Sequence, residues 1–361
     1  MTAQVCTICN RDSPLISSGL GVCLSCIQNN STEALVVTQE QHTESRSTFD
    51  LPSSAPDSPD GIRCGLCVQN CSIAEGGFGY CGMRSVEGGR LIHHAGSPSR
   101  GLLNWYRDPL PTNCVADWVC SGHTRWGYHN LAAFYGSCTL DCLFCQNWHY
   151  RQTNPLQDRQ GGIQAMSAGD LAACVNERTY CVCFFGGDPA SQMPHSLATA
   201  AKLAPSGMRI CWETAGTMHP RFLKRAMNYS ITTGGCVKFD LKAYDDNLHK
   251  ALTGATNSRT MENFHRAAEM SLATNDPPAL IASTLLVPGY VDEMEIGRIA
   301  RFIAELNPEI PYSILAFHPA YRMSDLPRTS KDHAQRALEA ARDAGLNRVH
   351  IGNLHLLSSS Y

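Results

Sequence analysis

The chain has 361 residues, 18 of them cysteine, with 43% hydrophobic and 17% charged residues, and its 29 Lys+Arg against 32 Asp+Glu give a formal charge of −3. This length suits one large domain or two to three smaller ones with a sizeable core, and the slightly acidic balance excludes a generally basic nucleic-acid coat. The most apolar run, residues 279–287, is about half of the ~20 residues a membrane span needs, so a cytoplasmic protein without a signal peptide is expected, in which cysteines hold metal rather than form disulfides.

Cysteine spacing organises the N-terminal third. Cys6-x2-Cys9 and Cys23-x2-Cys26 supply four thiolates, the closed tetrahedral shell of a structural Zn²⁺. They predict a zinc-ribbon-like module over residues 1–37, too poor in large apolar residues to fold without metal. Residues 38–60 are rich in Ser, Pro, Gln, Thr and acids with one aromatic, Phe49. That composition predicts a flexible linker, because it offers too little apolar surface to offset ordering entropy. A cysteine-rich extension is expected over 61–129. Its Cys64-x2-Cys67-x3-Cys71 and Cys81 read as a second metal knuckle, for zinc or iron. Cys114 and Cys120 read as packed or free thiols.

From about residue 130 the pattern changes. Short apolar runs at 131–135, 180–185, 208–212, 236–241, 280–287, 312–317 and 349–351 predict strands. Helical patterns run over about 193–204, 219–228, 258–274, 291–306 and 330–344. Ser167 offers an N-cap for a further helix and Gly345 ends the last one. Alternation of this kind predicts parallel βαβ units, hence an α/β fold, either a doubly wound sheet or a partial or full (β/α) barrel over residues 130–355. Cys174, Cys181, Cys183, Cys211 and Cys236 fall inside these apolar patterns and read as small core hydrophobes.

In both architectures functional residues gather at the carboxyl ends of strands. Cys138, Gly186, Gly187, Asp188, Glu213, Asp240, Lys242 and His318 all stand there. Asp240 and Lys242 share a side of their strand; facing inward, they need a polar ligand or each other. The loop Cys138-Thr-Leu-Asp-Cys142-Leu-Phe-Cys145 offers three thiolates within eight residues. Three suit a 4Fe–4S cluster that keeps one iron open to an external ligand.

The run Phe134-Tyr-Gly-Ser-Cys-Thr-Leu-Asp-Cys-Leu-Phe-Cys-Gln-Asn-Trp148 resembles radical S-adenosylmethionine (SAM) enzymes, within them the subgroup related to pyruvate formate-lyase activating enzymes. The chain is most similar to the radical SAM protein of the AmmeMemoRadiSam system. The resemblance reaches from Cys64 to about Asn353 through Gly79-Tyr-Cys-Gly82, Phe184-Phe-Gly-Gly-Asp-Pro189, Glu213-Thr-Ala-Gly216, Asp240-Leu-Lys242, Phe317-His-Pro319 and Ile351-Gly-Asn353. It implies a partial (β/α)6-type TIM barrel. It also implies a 4Fe–4S cluster on Cys138, Cys142 and Cys145, and SAM on the open iron, with Phe144, Gly186, Gly187, Asp188, Glu213, Asp240, Lys242 and His318 near it. The chemistry implied is reductive cleavage to a 5′-deoxyadenosyl radical that abstracts hydrogen, with an electron donor such as flavodoxin or ferredoxin. A protein or other macromolecule is the expected substrate, since an accessory ribbon suits docking. Radical methyl or aminocarboxypropyl transfer, and a zinc-stabilised scaffold without chemistry, are the competing readings. The chain departs from the subgroup in ending Leu356-Leu-Ser-Ser-Ser-Tyr361, where a cysteine pair is expected.

Overall fold

The apolar runs of the second half assemble side by side into one sheet. The computed structural model describes residues 3–112, 114–273 and 276–361. Its large sheet has ten strands: β1 (Gly101–Pro109), β2 (His129–Tyr135), β3 (Arg159–Gln160), β4 (Ile163–Met166), β5 (Thr179–Phe185), β6 (Arg209–Thr214), β7 (Val237–Asp240), β8 (Leu280–Leu286), β9 (Tyr312–Ala316) and β10 (Val349–Gly352). Their order is β10-β9-β8-β7-β6-β5-β2-β1-β4-β3. The seven strands from β2 to β10, leaving out β3 and β4, run parallel in chain order. β1, β4 and β3 extend the β2 edge in antiparallel fashion. β10 and β3 are the two ends of the sheet, so the barrel is open.

Helices return the chain between parallel strands: α3 (Ala168–Ala172), α4 (Met193–Leu203), α5 (Pro220–Thr233), α6 (Asp246–Thr253), α7 (Ser258–Ser271), α8 (Glu293–Leu306) and α9 (Lys331–Asp343) follow the α1 and α2 of the N-terminus. Ser167 caps α3 in a reciprocal box with Asp170, as its sequence predicts. Side-chain alternation sorts the strands into two faces. Trp212 and Phe239 point outward, against Ser196 of α4 at 3.2 Å and the Phe264 ring of α7 at 5.3 Å. The alternate positions, Cys183, Glu213 and Lys238, meet one another in the lumen.

The N-terminal region differs from its expectation. The ribbon is present, with Gln4–Val5 paired to Asp12–Ser13 and α1 at Leu24–Asn29. The stretch expected as a flexible linker from residue 38 instead continues α2, which spans Ser31–Ser47. Composition misleads here because one face of α2, with Thr38, His42, Ser45 and Arg46, is buried through polar partners. His42 Nδ1 lies 3.0 Å from Asp141 Oδ2 and its Nε2 lies 3.0 Å from the Ala251 carbonyl. Ser45 and Tyr321 hydroxyls meet at 2.8 Å, and the Arg46 guanidinium stacks 3.4 Å from the Tyr80 ring centroid. The ribbon itself is docked: Asp325 accepts from Ser17 Oγ at 2.8 Å and Ser18 N at 2.7 Å, and Tyr290 Oη accepts from Ser17 N at 3.0 Å. Gly289 permits the contact, since a Cβ there would stand 2.1 Å from the Leu15 carbonyl oxygen. No helix among the described residues is long and apolar enough to cross a membrane.

Candidate active site

The three-cysteine loop leaves β2 at the carboxyl end of the parallel sheet, and its backbone is held from several directions. Asp141 N donates to the Thr253 carbonyl at 2.8 Å, Leu143 N to the Leu252 carbonyl at 3.1 Å, and Arg322 N to the Leu143 carbonyl at 3.0 Å. Tyr150 Oη donates to the Leu140 carbonyl at 3.1 Å, and Arg151 Nη2 to the Cys142 carbonyl at 3.2 Å. Asp141 sits fully buried between cluster-loop cysteines and collects Arg151 Nε at 2.8 Å, Ser45 Oγ at 3.1 Å and His42. Burial alone would raise its carboxyl; the His42 hydrogen bond and the Arg151 guanidinium outweigh that and hold it below the usual carboxylate range. A loop whose backbone is held at these five groups keeps its cysteines in place before any ligand arrives.

The strand ends complete the rim. Gly187 is forced by the chain's own packing, because a Cβ there would lie 2.2 Å from the Ser137 carbonyl oxygen. Asp188 accepts from Ala190 N at 2.8 Å, Thr214 Oγ1 at 2.7 Å and Ala215 N at 3.1 Å. Burial still pushes its carboxyl up to about 6. Its oxygens are thus committed to tying the Gly-Gly-Asp turn to the end of β6. Asp240 and Lys242 do form an ion pair with each other, one of the two arrangements their shared side allows. Asp240 Oδ1 is buried without a hydrogen-bond partner among the described residues, and the Lys242 ammonium lies 5.6 Å from the Phe144 ring centroid. Burial opposes the Lys242 charge, but Asp240 and Cys142 beside it raise its affinity for the proton.

One cavity, of about 280 Å³, is lined by Cys138, Cys142, Cys145, Phe144, Gly186, Gly187, Asp188, Glu213, Asp240 and Lys242. His318 is placed apart. It lines the neighbouring hollow with Trp148 and Tyr321, which shares Gln146 and Asn353 with the first. Sequence reading missed Val115, which enters the cavity wall from the segment before β2 and is anchored by Ser313 Oγ donating to its carbonyl at 2.7 Å. No local pattern signals that insertion. It also missed Lys238, whose Nζ lies 3.2 Å from Glu213 Oε2; the every-second spacing of Lys238, Asp240 and Lys242 was the available clue.

The residues fit the group the three-cysteine spacing implies. Three cysteines line one cavity with Asp240, whose Oδ1 is buried without a hydrogen-bond partner among the described residues, which is a donor set for a cluster with a ligand-accepting side. Burial pushes the Cys142 thiol up to about 12 and the Cys138 thiol well up too, so metal loading there must release protons. The ribbon is a different kind of site. Cys6, Cys9, Cys23 and Cys26 hold their sulfurs within 4.8 Å of one another, with Cys6 to Cys26 at 3.7 Å and Cys9 to Cys23 at 3.8 Å. A tetrahedron of ~2.3 Å metal–sulfur bonds has edges of about 3.8 Å, so this set can hold a single metal ion. Among the described residues no other group of three or more potential ligands is that tight. Around the second expected knuckle Arg84 Nη1 lies 3.5 Å from Cys81 Sγ and Tyr80 N lies 3.4 Å from Cys71 Sγ, and its sulfurs, like those of Cys138, Cys142 and Cys145, are spread more widely than the ribbon's.

Residues 133–303 match the family described as the radical SAM superfamily. The chain is 25% identical over 311 residues to the uncharacterised protein MJ0808 of Methanocaldococcus jannaschii, covering 81% of each. It is 30% identical over 134 residues to the isethionate sulfite-lyase activating enzyme of Oleidesulfovibrio alaskensis, covering 37% of this chain and 40% of that one. A solved domain of a pyruvate-formate lyase-activating enzyme from Bacteroides vulgatus superposes with a TM-score of 0.39 at 22% identity, over 48% of this chain and 99% of that one. The matched residues are those that carry the three-cysteine loop and four of the strand ends around it, and over them the chain carries a radical SAM domain.

Proposed function

We propose that this enzyme acts in the manner of an activating enzyme, abstracting hydrogen from a protein or other macromolecular substrate. Cys138, Cys142 and Cys145 would hold the 4Fe–4S cluster, and Asp240 with its free Oδ1, Lys242, Glu213 and the Gly186-Gly187 backbone would bind and orient SAM. When bound, the cluster and SAM supply reductive cleavage to methionine and a 5′-deoxyadenosyl radical. The observation that carries this reading is that the three cysteines and these strand-end groups line one cavity. The chain's own part is to position the ligand against the loop and to keep water out with Phe144, Phe185, Leu285 and Leu315. Activating-enzyme relatives support a macromolecular substrate, and the hollow beside the cavity, with His318, Trp148 and Tyr321 on its wall, is where such a substrate would approach. The ribbon would hold structural zinc, and the reaction would take place in the cytoplasm with a low-potential donor such as flavodoxin or ferredoxin.

The test is anaerobic reconstitution with SAM and dithionite. Conversion to 5′-deoxyadenosine that disappears in Cys142→Ala is expected. Methylthioadenosine as the main product would replace hydrogen abstraction by aminocarboxypropyl transfer, and S-adenosylhomocysteine would replace it by methyl transfer.

A further inference from the structure

Below the site cavity the barrel lumen is lined with sulfur. Cys114, Cys120, Cys181, Cys183, Cys211 and Cys236 line a small cavity of about 40 Å³ together with Lys238. The sequence reads most of these as small hydrophobes, but apolar filling has no need of an ammonium. Lys238 Nζ lies 2.9 Å from Cys114 Sγ, 3.2 Å from Cys183 Sγ and 3.2 Å from Glu213 Oε2, which gives each of its three N–H bonds an acceptor.

Cys211 and Cys236 form the closest thiol pair in this lining. Their sulfurs are 3.9 Å apart, with Cys236 donating. They stand one step before the paired residues Trp212 and Val237 on adjacent parallel strands, and Trp212 N donates to the Cys236 carbonyl at 3.0 Å. Gly235 brings the two backbones together, since a Cβ there would lie 2.1 Å from the Ile210 carbonyl oxygen. Adjacent strands run about 4.8 Å apart, inside the ~4.4–6.8 Å window of Cα separations that a disulfide spans. Cys236 is 4% exposed, whereas Cys211 is only partly buried and meets the cavity.

We propose that Cys211 and Cys236 are a reactive dithiol, and that a small-molecule disulfide oxidises the pair to an intramolecular disulfide. The Cys211 thiolate attacks one sulfur of the small disulfide and expels the other half as a thiolate. Cys236 passes its proton to that leaving thiolate and attacks Cys211 Sγ, releasing the second half as a thiolate, which takes from solvent the proton Cys211 lost on ionising. Two protein thiols are oxidised and one small disulfide is reduced to two thiols. The surroundings favour Cys211 as the attacking group: the Cys236 S–H bond, followed by the Lys238 and Arg209 cations, hold its thiol down to about 6 against its burial. Lys238 joins this pair to the site above, because the same ammonium holds Glu213.

The full-length protein with its metals, kept anaerobic in glutathione buffers of graded disulfide content and quenched with N-ethylmaleimide, tests this by peptide mapping. A linked Cys211–Cys236 peptide that grows with disulfide content and reverses with dithiothreitol is expected. In Cys236→Ser a glutathione adduct should accumulate on Cys211, and in Lys238→Met alkylation of Cys211 at pH 7 should slow about tenfold. Absence of the linked peptide at every ratio overturns the proposal, as does an adduct in Cys236→Ser that falls on other cysteines. Should Lys238→Met not fold, the wild-type profile decides: a Cys211 alkylation midpoint near the ordinary thiol value of about 8.5 overturns the proposal, and one near 6 supports it.

Discussion

The ribbon and the three-cysteine loop use the same side chain to opposite ends. In the ribbon four sulfurs close on one another at tetrahedral distances, and nothing is left over for a ligand. In the loop the three cysteines line a cavity and are spread more widely than the ribbon's four. The ribbon would take its order from a metal held by its four thiolates. The loop's order comes from a buried scaffold of Asp141, Arg151, His42 and Ser45, two of which belong to the helix that leaves the ribbon. The difference teaches that a structural metal site is complete in itself, whereas a reactive one must be prepared from outside and left open.

The two regions should therefore fail differently. The largest effect is expected from Cys142→Ala, which should bring SAM cleavage to background while one metal ion per chain stays on the ribbon; elemental analysis beside product assay checks it. Cys9→Ala should reverse the pattern, losing the ribbon metal and opening residues 3–30 to hydrogen exchange. Arg151→Met removes one partner of a buried ion pair whose side chains are both 0% exposed. A loss of about 3–5 kcal/mol in chemical denaturation is expected, with weaker cluster retention if the scaffold governs the loop.

The barrel beneath supplies a smaller, pH-dependent contrast. Burial holds His195 and His249 down at about 4, below the ordinary 6.5. The unfolded chain thus binds protons that the folded one refuses between these values. Stability should be full above pH 6.5 and fall by about 3 kcal/mol per histidine as pH drops toward 4. His249→Gln should flatten that slope in thermal melts recorded across the range. Smallest of all, Lys250→Ala breaks an exposed pair with Asp246 and should cost under about 0.5 kcal/mol. A loss above ~1 kcal/mol would mean that α6 supports the loop through more than its Leu252 and Thr253 carbonyls.

Most strand and helix positions in the barrel were legible because each rests on local periodicity, whereas α6 at Asp246–Thr253 and the antiparallel β1, β3 and β4 were not. The run at 180–185 and the helix at 331–343 needed nothing beyond their own side chains. The three-cysteine spacing was legible for the same reason, as all three thiols fall within one turn-rich loop. α2 was not, because its polar residues look unfit for burial until Asp141 and Ala251, far along the chain, supply partners. Nor was Val115, which reaches the cavity only through Ser313, almost 200 positions later.

The chemistry of the loop, the ribbon's four-thiolate set and the βα alternation are thus properties of short stretches, and short stretches carry them. Assembly decided the rest. His318 went to the neighbouring hollow, Asp188 gave its oxygens to the chain, and Cys211 and Cys236 met beside Lys238. Each of these turns on which strand lies beside which, and hydrogen bonding between strands, rather than the order of residues along one of them, sets that.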